Sequence, residues 1–354
     1  MSQFINIWDY EDKKYPFQMF IGGRGTGKTY SALEGVSTPS NRAKNGVEKF
    51  IYMRRTNDEA ELLQDSEKKG EGANPFKPIN SNLDIDLGIK KLNKKLGAVY
   101  DRETDDGGKY IYTGAPIGYS VGLTAIASMR SLAFNDVTDI FYDEFCPEKH
   151  VHKIKGECTA LLNAYETVNR NREFEGLPAC RLWMLANSND IYNDYFCELG
   201  LVAECEKMIR KGISDKYFED RGLAVHILPP SKEFVAKKSK TAIAKLTKGT
   251  KFYDMAYKNA FAYNDFSLIG RRPLKGYIPF CSINQKAYIY KKKGESEYYV
   301  TYAKARVENF NTETTQGARA FMRRYGLGLI DQFTASNVIF ESYELKALLL
   351  DLLL

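Results

Sequence analysis

The sequence predicts an α/β protein, with a mostly parallel sheet covered by helices over residues 1–205 and a smaller α+β domain after it. Three observations predict this. Apolar, strand-like runs alternate with helical stretches over residues 1–200, the order that builds parallel sheets. The octet Gly22-Gly23-Arg24-Gly25-Thr26-Gly27-Lys28-Thr29 reads G-x-x-x-x-G-K-T and directly follows the apolar run Phe17 to Ile21. From about residue 206 to 262 the composition turns basic, with about 13 basic against about 6 acidic side chains, before a β-β-β-α order begins.

The elements follow in order. Phe17–Ile21, Lys49–Met53, Ser131–Phe134, Asp139–Tyr142 and Arg181–Ala186 are expected strands. Asp58–Lys68 and Glu157–Arg172 have helical spacing. Asn82–Gly114 is expected as a β excursion, in which Asp105-Asp106-Gly107-Gly108 turns a hairpin between Gly97–Tyr100 and Lys109–Tyr112. Residues 206–262 are expected to form a linker or small helical subdomain, with a helix from Ser231 to Leu246. Residues 263–354 open on a meander, Gly276–Ser282, Ala287–Lys291 and Tyr298–Ala303, turning at Lys292-Lys293-Gly294. Thr315–Tyr325 and Ala335–Leu350 are then expected helices.

Composition narrows the class. Apolar residues make up 44% and charged residues 27% of the 354, as in soluble globular proteins. No run approaches the roughly 20 apolar residues of a membrane span, so no membrane partner is expected. The leucine-rich stretch Ala347–Leu354 is expected as a terminal helix docked on a core or a neighbour. Six cysteines without a C-x-x-C pair, and only three histidines, argue against zinc and disulfides and for a reducing cytosol. The net charge of +6, concentrated in the basic stretch, is the footprint of a nucleic-acid partner.

The chemistry starts at the octet, a Walker A pattern. Its glycines let successive backbone N–H groups point inward at a polyphosphate, Lys28 adds a point charge, and the Thr29 hydroxyl is placed to ligate Mg²⁺. Arg24 stays open between phosphate sensing and a solvent-exposed role. Asp139-Ile140-Phe141-Tyr142-Asp143-Glu144 is an apolar strand ending in two carboxylates, a Walker B pattern. Asp143 is expected at the metal and Glu144 as the general base that polarises water. The adjacent glutamate marks the ATP-hydrolysing ASCE class, with an extra strand between the two motifs. GTPase features are missing, because Asn93-Lys94-Lys95-Leu96 lacks the needed aspartate. Asn187, at the tip of the strand Arg181–Ala186, is a candidate γ-phosphate sensor. Arg170 and Arg130 are candidates to offset charge at a neighbouring subunit's γ-phosphate. Lys149, Lys153 and Lys155, with His150 and His152, make a basic loop after Glu144 suited to phosphate-backbone contacts. Trp8 and Tyr10 stay open between stacking on a base and core packing.

The P-loop octet, Phe50-Ile51-Tyr52-Met53-Arg54-Arg55, Asp143-Glu144-Phe145, Ala160-Leu161-Leu162-Asn163 and Arg170-Asn171-Arg172-Glu173 together resemble the DNA-packaging motor ATPases of phi29-like phages. The resemblance implies ATP and Mg²⁺ on Lys28, Thr29 and Asp143, catalysis by Glu144, and Arg170 acting in trans, with Arg130 where a second trans-acting basic residue falls. It implies Lys149 in a loop facing double-stranded DNA. It further implies a homo-oligomeric, pentameric ring at the portal of the prohead, usually on a packaging RNA, in the host cytoplasm. The family's C-terminal domain resembles an RNase H-type nuclease that has lost its carboxylates. Here Tyr277–Ser282 and Ala287–Lys291 hold no Asp or Glu, so binding without cutting is expected. Thr56-Asn57 replaces an expected basic residue, and the hairpin region is longer than the resemblance implies. The sequence leaves two other readings open: a large-terminase-like enzyme with working nuclease, and a nucleotide-gated scaffold.

Overall fold

A computed structural model describes residues 4–65, 73–126, 134–147, 151, 154–228, 232–250, 253 and 264–353. The chain divides into two compact units, Met1–Asp190 with Lys211–Ala262, and Ile191–Arg210 with Tyr263–Leu354.

In the first unit, β1 (Phe17–Gly22), β2 (Lys49–Arg54), β3 (Leu87–Asn93), β4 (Leu96–Thr104), β5 (Tyr110–Gly122), β6 (Val137–Asp143), β7 (Arg181–Asn187), β8 (Asp215–Phe218) and β9 (Leu223–Leu228) form one sheet. Their spatial order is β3-β4-β5-β2-β6-β7-β1-β9-β8. From β5 through β9 the neighbours run parallel, and the antiparallel pairs β3–β4, β4–β5 and β8–β9 complete the edges. Central strands buried on both faces must be apolar nearly throughout, and Met19, Phe20, Ile21, Phe50, Ile51, Ile140, Phe141 and Trp183 are all buried. β7 lies between β1 and β6, the extra strand expected between the two motifs. The mixed α/β fold with a parallel-rich sheet is therefore the one expected.

Several elements differ from expectation. The excursion of residues 82–114 joins the main sheet, because β5 runs past its hairpin and pairs with β2. Strands β8 and β9 lie in the stretch expected as a linker or helical subdomain. The apolar run Leu223-Ala224-Val225-His226-Ile227-Leu228 is too short to stand out from the lysines around it. The expected helix Ser231–Leu246 is two, Lys232–Lys238 and Ala242–Thr247, because the Thr241 side chain caps the second by accepting from the Ala244 N–H. The expected strand Ser131–Phe134 lies, apart from Phe134, outside the described residues.

In the second unit, β10 (Tyr277–Ile283), β11 (Ala287–Lys292), β12 (Tyr298–Thr301), β13 (Asn309–Phe310) and β14 (Val338–Phe340) form a sheet of order β13-β10-β11-β12-β14. The meander β10-β11-β12 is antiparallel, as expected. β14 interrupts the helix expected over Ala335–Leu350. Ser336, at φ 61°, ends the preceding helix, and a β-branched and aromatic triplet then pairs parallel with β12. The helix Tyr343–Leu353 buries Leu345, Leu349 and Leu353 at i, i+4, i+8 against Ile283, Val300 and Phe340, so the leucine-rich end docks on this unit's own core. Among the described residues, no helix is long and apolar enough to cross a membrane.

Candidate functional site

Four chain segments converge at the carboxyl ends of the central strands, where parallel sheets place their ligand sites. Gly22 to Thr29 leave β1, Arg54 ends β2, Asp143 and Glu144 end β6, and Asn187 ends β7. With Arg24, Tyr30 and Asn82, the P-loop and these two acids line a cavity of about 640 Å³.

The glycine pattern has a local cause. Gly27 sits at φ 99° immediately before the helix Lys28–Ser37, and a Cβ there would stand 2.8 Å from Phe4 Cβ. Only glycine meets both demands. The Lys28 ammonium donates to the carbonyls of Gly22 and Gly23 at 3.0 and 3.1 Å, and to Thr26 Oγ1 at 3.3 Å. Burial pushes its pKa down to about 8; Asp143 and Glu144 work against that and Lys238 works with it.

Asp143 is buried, and burial pushes its carboxyl above the usual range, an effect that Arg54, Tyr52 and Thr29 oppose. Thr29 Oγ1 donates to Asp143 Oδ1 and Oδ2 at 3.1 and 3.0 Å, and the Tyr52 hydroxyl donates to Oδ2 at 2.8 Å. Arg54 bridges both acids, at 3.3 Å from Asp143 Oδ2 and 2.5 Å from Glu144 Oε2. Glu144 takes a left-handed conformation, φ 57°, which costs about 1–2 kcal/mol in a non-glycine residue. That turn sends the Phe145 N–H to the Leu185 carbonyl at 3.2 Å and leaves the Glu144 carboxylate half exposed at the cavity wall. The donor set fits a hard cation: a hydroxyl and a carboxylate meet beside a backbone cradle for phosphates.

Of the residues expected from sequence, Gly22 and Gly23 supply the carbonyls that hold Lys28, while Arg24, Gly25, Thr26, Gly27, Lys28, Thr29, Asp143, Glu144 and Asn187 all border the one cavity. Arg24 is half-buried, and its carbonyl accepts from Lys238 Nζ. Arg170 is exposed and outside the lining. It ends the helix Glu157–Asn169 at φ 40°, with its Nε donating to the Thr167 carbonyl at 2.9 Å. Lys155 is exposed. Arg130, Lys149 and Lys153 lie outside the described residues, as do His150 and His152. Trp8 is a core residue. Its ring lies 4.8 Å from that of Trp183 and its Nε1 donates to the Ser31 carbonyl at 2.9 Å.

Sequence reasoning missed Tyr52, Arg54 and Lys238. It also missed Arg55, whose buried guanidinium meets Glu157 with bonds of 2.6 and 2.8 Å and so fixes the start of the helix that ends at Arg170.

Among known protein families, the Podovirus DNA encapsidation protein (Gp16) model matches residues 98–303, more than half of the chain. The chain belongs to that family. The kinship with phi29-like packaging proteins expected from the motifs therefore holds. The matched stretch carries Asp143, Glu144 and Arg170 and begins after the P-loop. The DNA packaging proteins of Bacillus phages PZA and phi29 are each 29% identical over 253 residues, which is 71% of this chain and 64% of theirs. The match thus spans a little under two-thirds of those relatives' length. Among solved structures, a chain of the bacteriophage Phi-29 viral genome packaging motor assembly aligns with TM-score 0.65 and 21% identity, over 99% of this chain and 98% of that one. The Phi-28 gp11 DNA packaging motor aligns with TM-score 0.56 and 19% identity, over 100% and 97%. These likenesses establish the shared fold.

Proposed function

We propose that this chain is an ATP-hydrolysing, double-stranded DNA translocase that packages a viral genome into a prohead. The observation that carries the reading is the convergence of Lys28, Thr29, Asp143 and Glu144 on one cavity, in a chain of the DNA encapsidation family. The first unit, Met1–Asp190 with Lys211–Ala262, would serve as the ATPase domain, with the basic stretch contributing β8 and β9 to its sheet. Residues 263–354 would be a nucleic-acid-binding domain of vestigial RNase H type.

In this reading the work divides as follows. The P-loop backbone and Lys28 hold the triphosphate, and Thr29 with Asp143 hold magnesium. A magnesium ion held there would supply positive charge to offset that of the phosphates. Glu144 orients and deprotonates the attacking water, and Asn187, which also lines the cavity, senses the γ-phosphate. A carboxylate engaged by a guanidinium is poorly placed to accept a proton, so Arg54 must release Glu144 before water is activated. Arg170 is exposed and outside its own chain's cavity, which supports a role toward a neighbouring subunit in a homo-oligomeric, pentameric ring. In this reading Arg130 is a second basic group acting in trans, and Lys149, Lys153 and Lys155 grip the DNA backbone. The portal, the prohead and a packaging RNA are the remaining partners, met in the host cytoplasm.

The test is phosphate release by the full chain with ATP and Mg²⁺, alone and then with duplex DNA and proheads. Stimulation by both together is expected. A rate that neither addition changes would favour a nucleotide-gated scaffold. Plasmid cleavage in Mg²⁺ or Mn²⁺ would favour a terminase-like enzyme with a working nuclease.

A further inference from the structure

The cavity does not end at the P-loop. Its volume of about 640 Å³ is in the range that encloses a whole small-molecule ligand, roughly 300–1,000 Å³. Beyond the P-loop residues and the two acids, its lining includes Phe4, Tyr30 and Asn82. Phe4 is pinned from both sides. The Ile5 N–H donates to the Thr26 carbonyl at 3.0 Å, and Phe4 Cβ packs where Gly27 has no side chain. Yet Phe4 is 50% exposed, an aromatic that the core does not enclose, held at the rim of a phosphate cradle.

Tyr30 and Asn82 meet from different elements. The Tyr30 hydroxyl donates to Glu34 Oε1 at 3.0 Å and accepts from Asn82 Nδ2 at 2.9 Å. That bond ties the helix Lys77–Leu83 to the helix that begins at Lys28. A primary amide has two N–H donors and one acceptor oxygen. With one donor committed to Tyr30, the Asn82 amide keeps one donor and its acceptor oxygen.

We infer that Phe4, Tyr30 and Asn82 form a nucleobase subsite that selects adenine. Phe4 supplies a flat face for stacking, and Tyr30 orients the Asn82 amide toward the base edge. An amide offering one donor and one acceptor pairs with adenine, whose N7 accepts and whose N6 donates. Guanine presents two acceptors on that edge, N7 and O6, and would set O6 against the amide oxygen. This inference rests on the ATP reading above and adds which atoms read the base.

The experiment is calorimetric titration of the full chain with Mg-ATP, Mg-GTP and Mg-tripolyphosphate. Wild type is compared with Phe4→Ala, Phe4→Trp and Asn82→Ala. Phe4→Ala should weaken ATP binding by roughly 5- to 150-fold, the range for loss of one base–aromatic stack. It should leave tripolyphosphate binding unchanged, and Phe4→Trp should restore ATP. Asn82→Ala should bring the ATP and GTP affinities together. Equal losses of ATP and tripolyphosphate in Phe4→Ala would overturn the subsite, since the damage would then lie in the P-loop. Wild type that binds ATP no better than GTP or tripolyphosphate would overturn the subsite alone. Wild type that takes up none of the three would overturn the nucleotide reading and the subsite with it.

Discussion

Among the described residues each unit buries one lysine ammonium, and the two are treated differently. In the second unit Lys346 is 1% exposed and lies within 3.2 Å of four oxygens, from Asp265 and Ser267. One of them is a carboxylate oxygen. Burial would raise the Asp265 pKa, but bonds from Lys346 and Ser267 pull it down to about 2. In the first unit Lys28 is 7% exposed and touches three neutral oxygens, two carbonyls and a hydroxyl. The nearby acids Asp143 and Glu144 are themselves engaged by Arg54. A charge matched in place holds a fold together, whereas a charge buried without a contacting anion is a site prepared for one. The sheets divide in the same way. Strands β2, β6 and β7 end in polar residues around a cavity, and strands β10 to β14 carry no carboxylate.

On that contrast, the largest effect belongs to Glu144. Glu144→Gln should lower phosphate release by about 10²- to 10⁴-fold, the usual contribution of a general base, and leave ATP uptake intact. Measuring both on one preparation tests it, and ordinary turnover would remove Glu144 from the chemistry. A smaller effect belongs to the other buried lysine. Lys346→Ala should cost roughly 1.5–3 kcal/mol of stability, the range for hydrogen bonds to a charged group, read as a shift in urea midpoint. Nucleotide affinity should stay where it was. A variant that kept its stability but lost ATP would break the comparison outright.

How much of this could be read in the sequence depends on how local each signal is. Gly22–Thr29 and Asp143–Glu144 are contiguous motifs that follow apolar runs, so both the strands and the residues that border the cavity were legible. Tyr52 and Arg54 reach Asp143 across 91 and 89 residues of sequence, and pairing between β2 and β6, not spacing, brings them there. The only signal was an apolar strand ending in two arginines. Lys238 is one lysine among many, and its contact with Arg24 spans 214 positions. β9 was lost for a compositional reason: six residues average out within a basic stretch. β14 was lost because three strand residues between helical patterns give too short a period to detect.

The finest test of the comparison is pH. The Lys28 pKa is about 8 in the folded protein against an ordinary 10.5, with burial as the largest cause. Below pH 8 both folded and unfolded chains carry the proton, and the full penalty of burying the charge is present. Between 8 and 10.5 the unfolded chain binds more protons, so stability should rise with pH across that window. Affinity for the triphosphate should move the other way. The bound anion favours charged Lys28, so ATP affinity should fall as pH climbs through about 8, by up to about tenfold per unit above it. Lys28→Met should flatten both trends at this position. Calorimetry and urea midpoints measured on the same samples from about pH 7 to pH 10 would check both signs at once. An ATP affinity that stays level through pH 8 in the wild type would mean that Lys28 is already compensated, and would leave the two buried lysines alike.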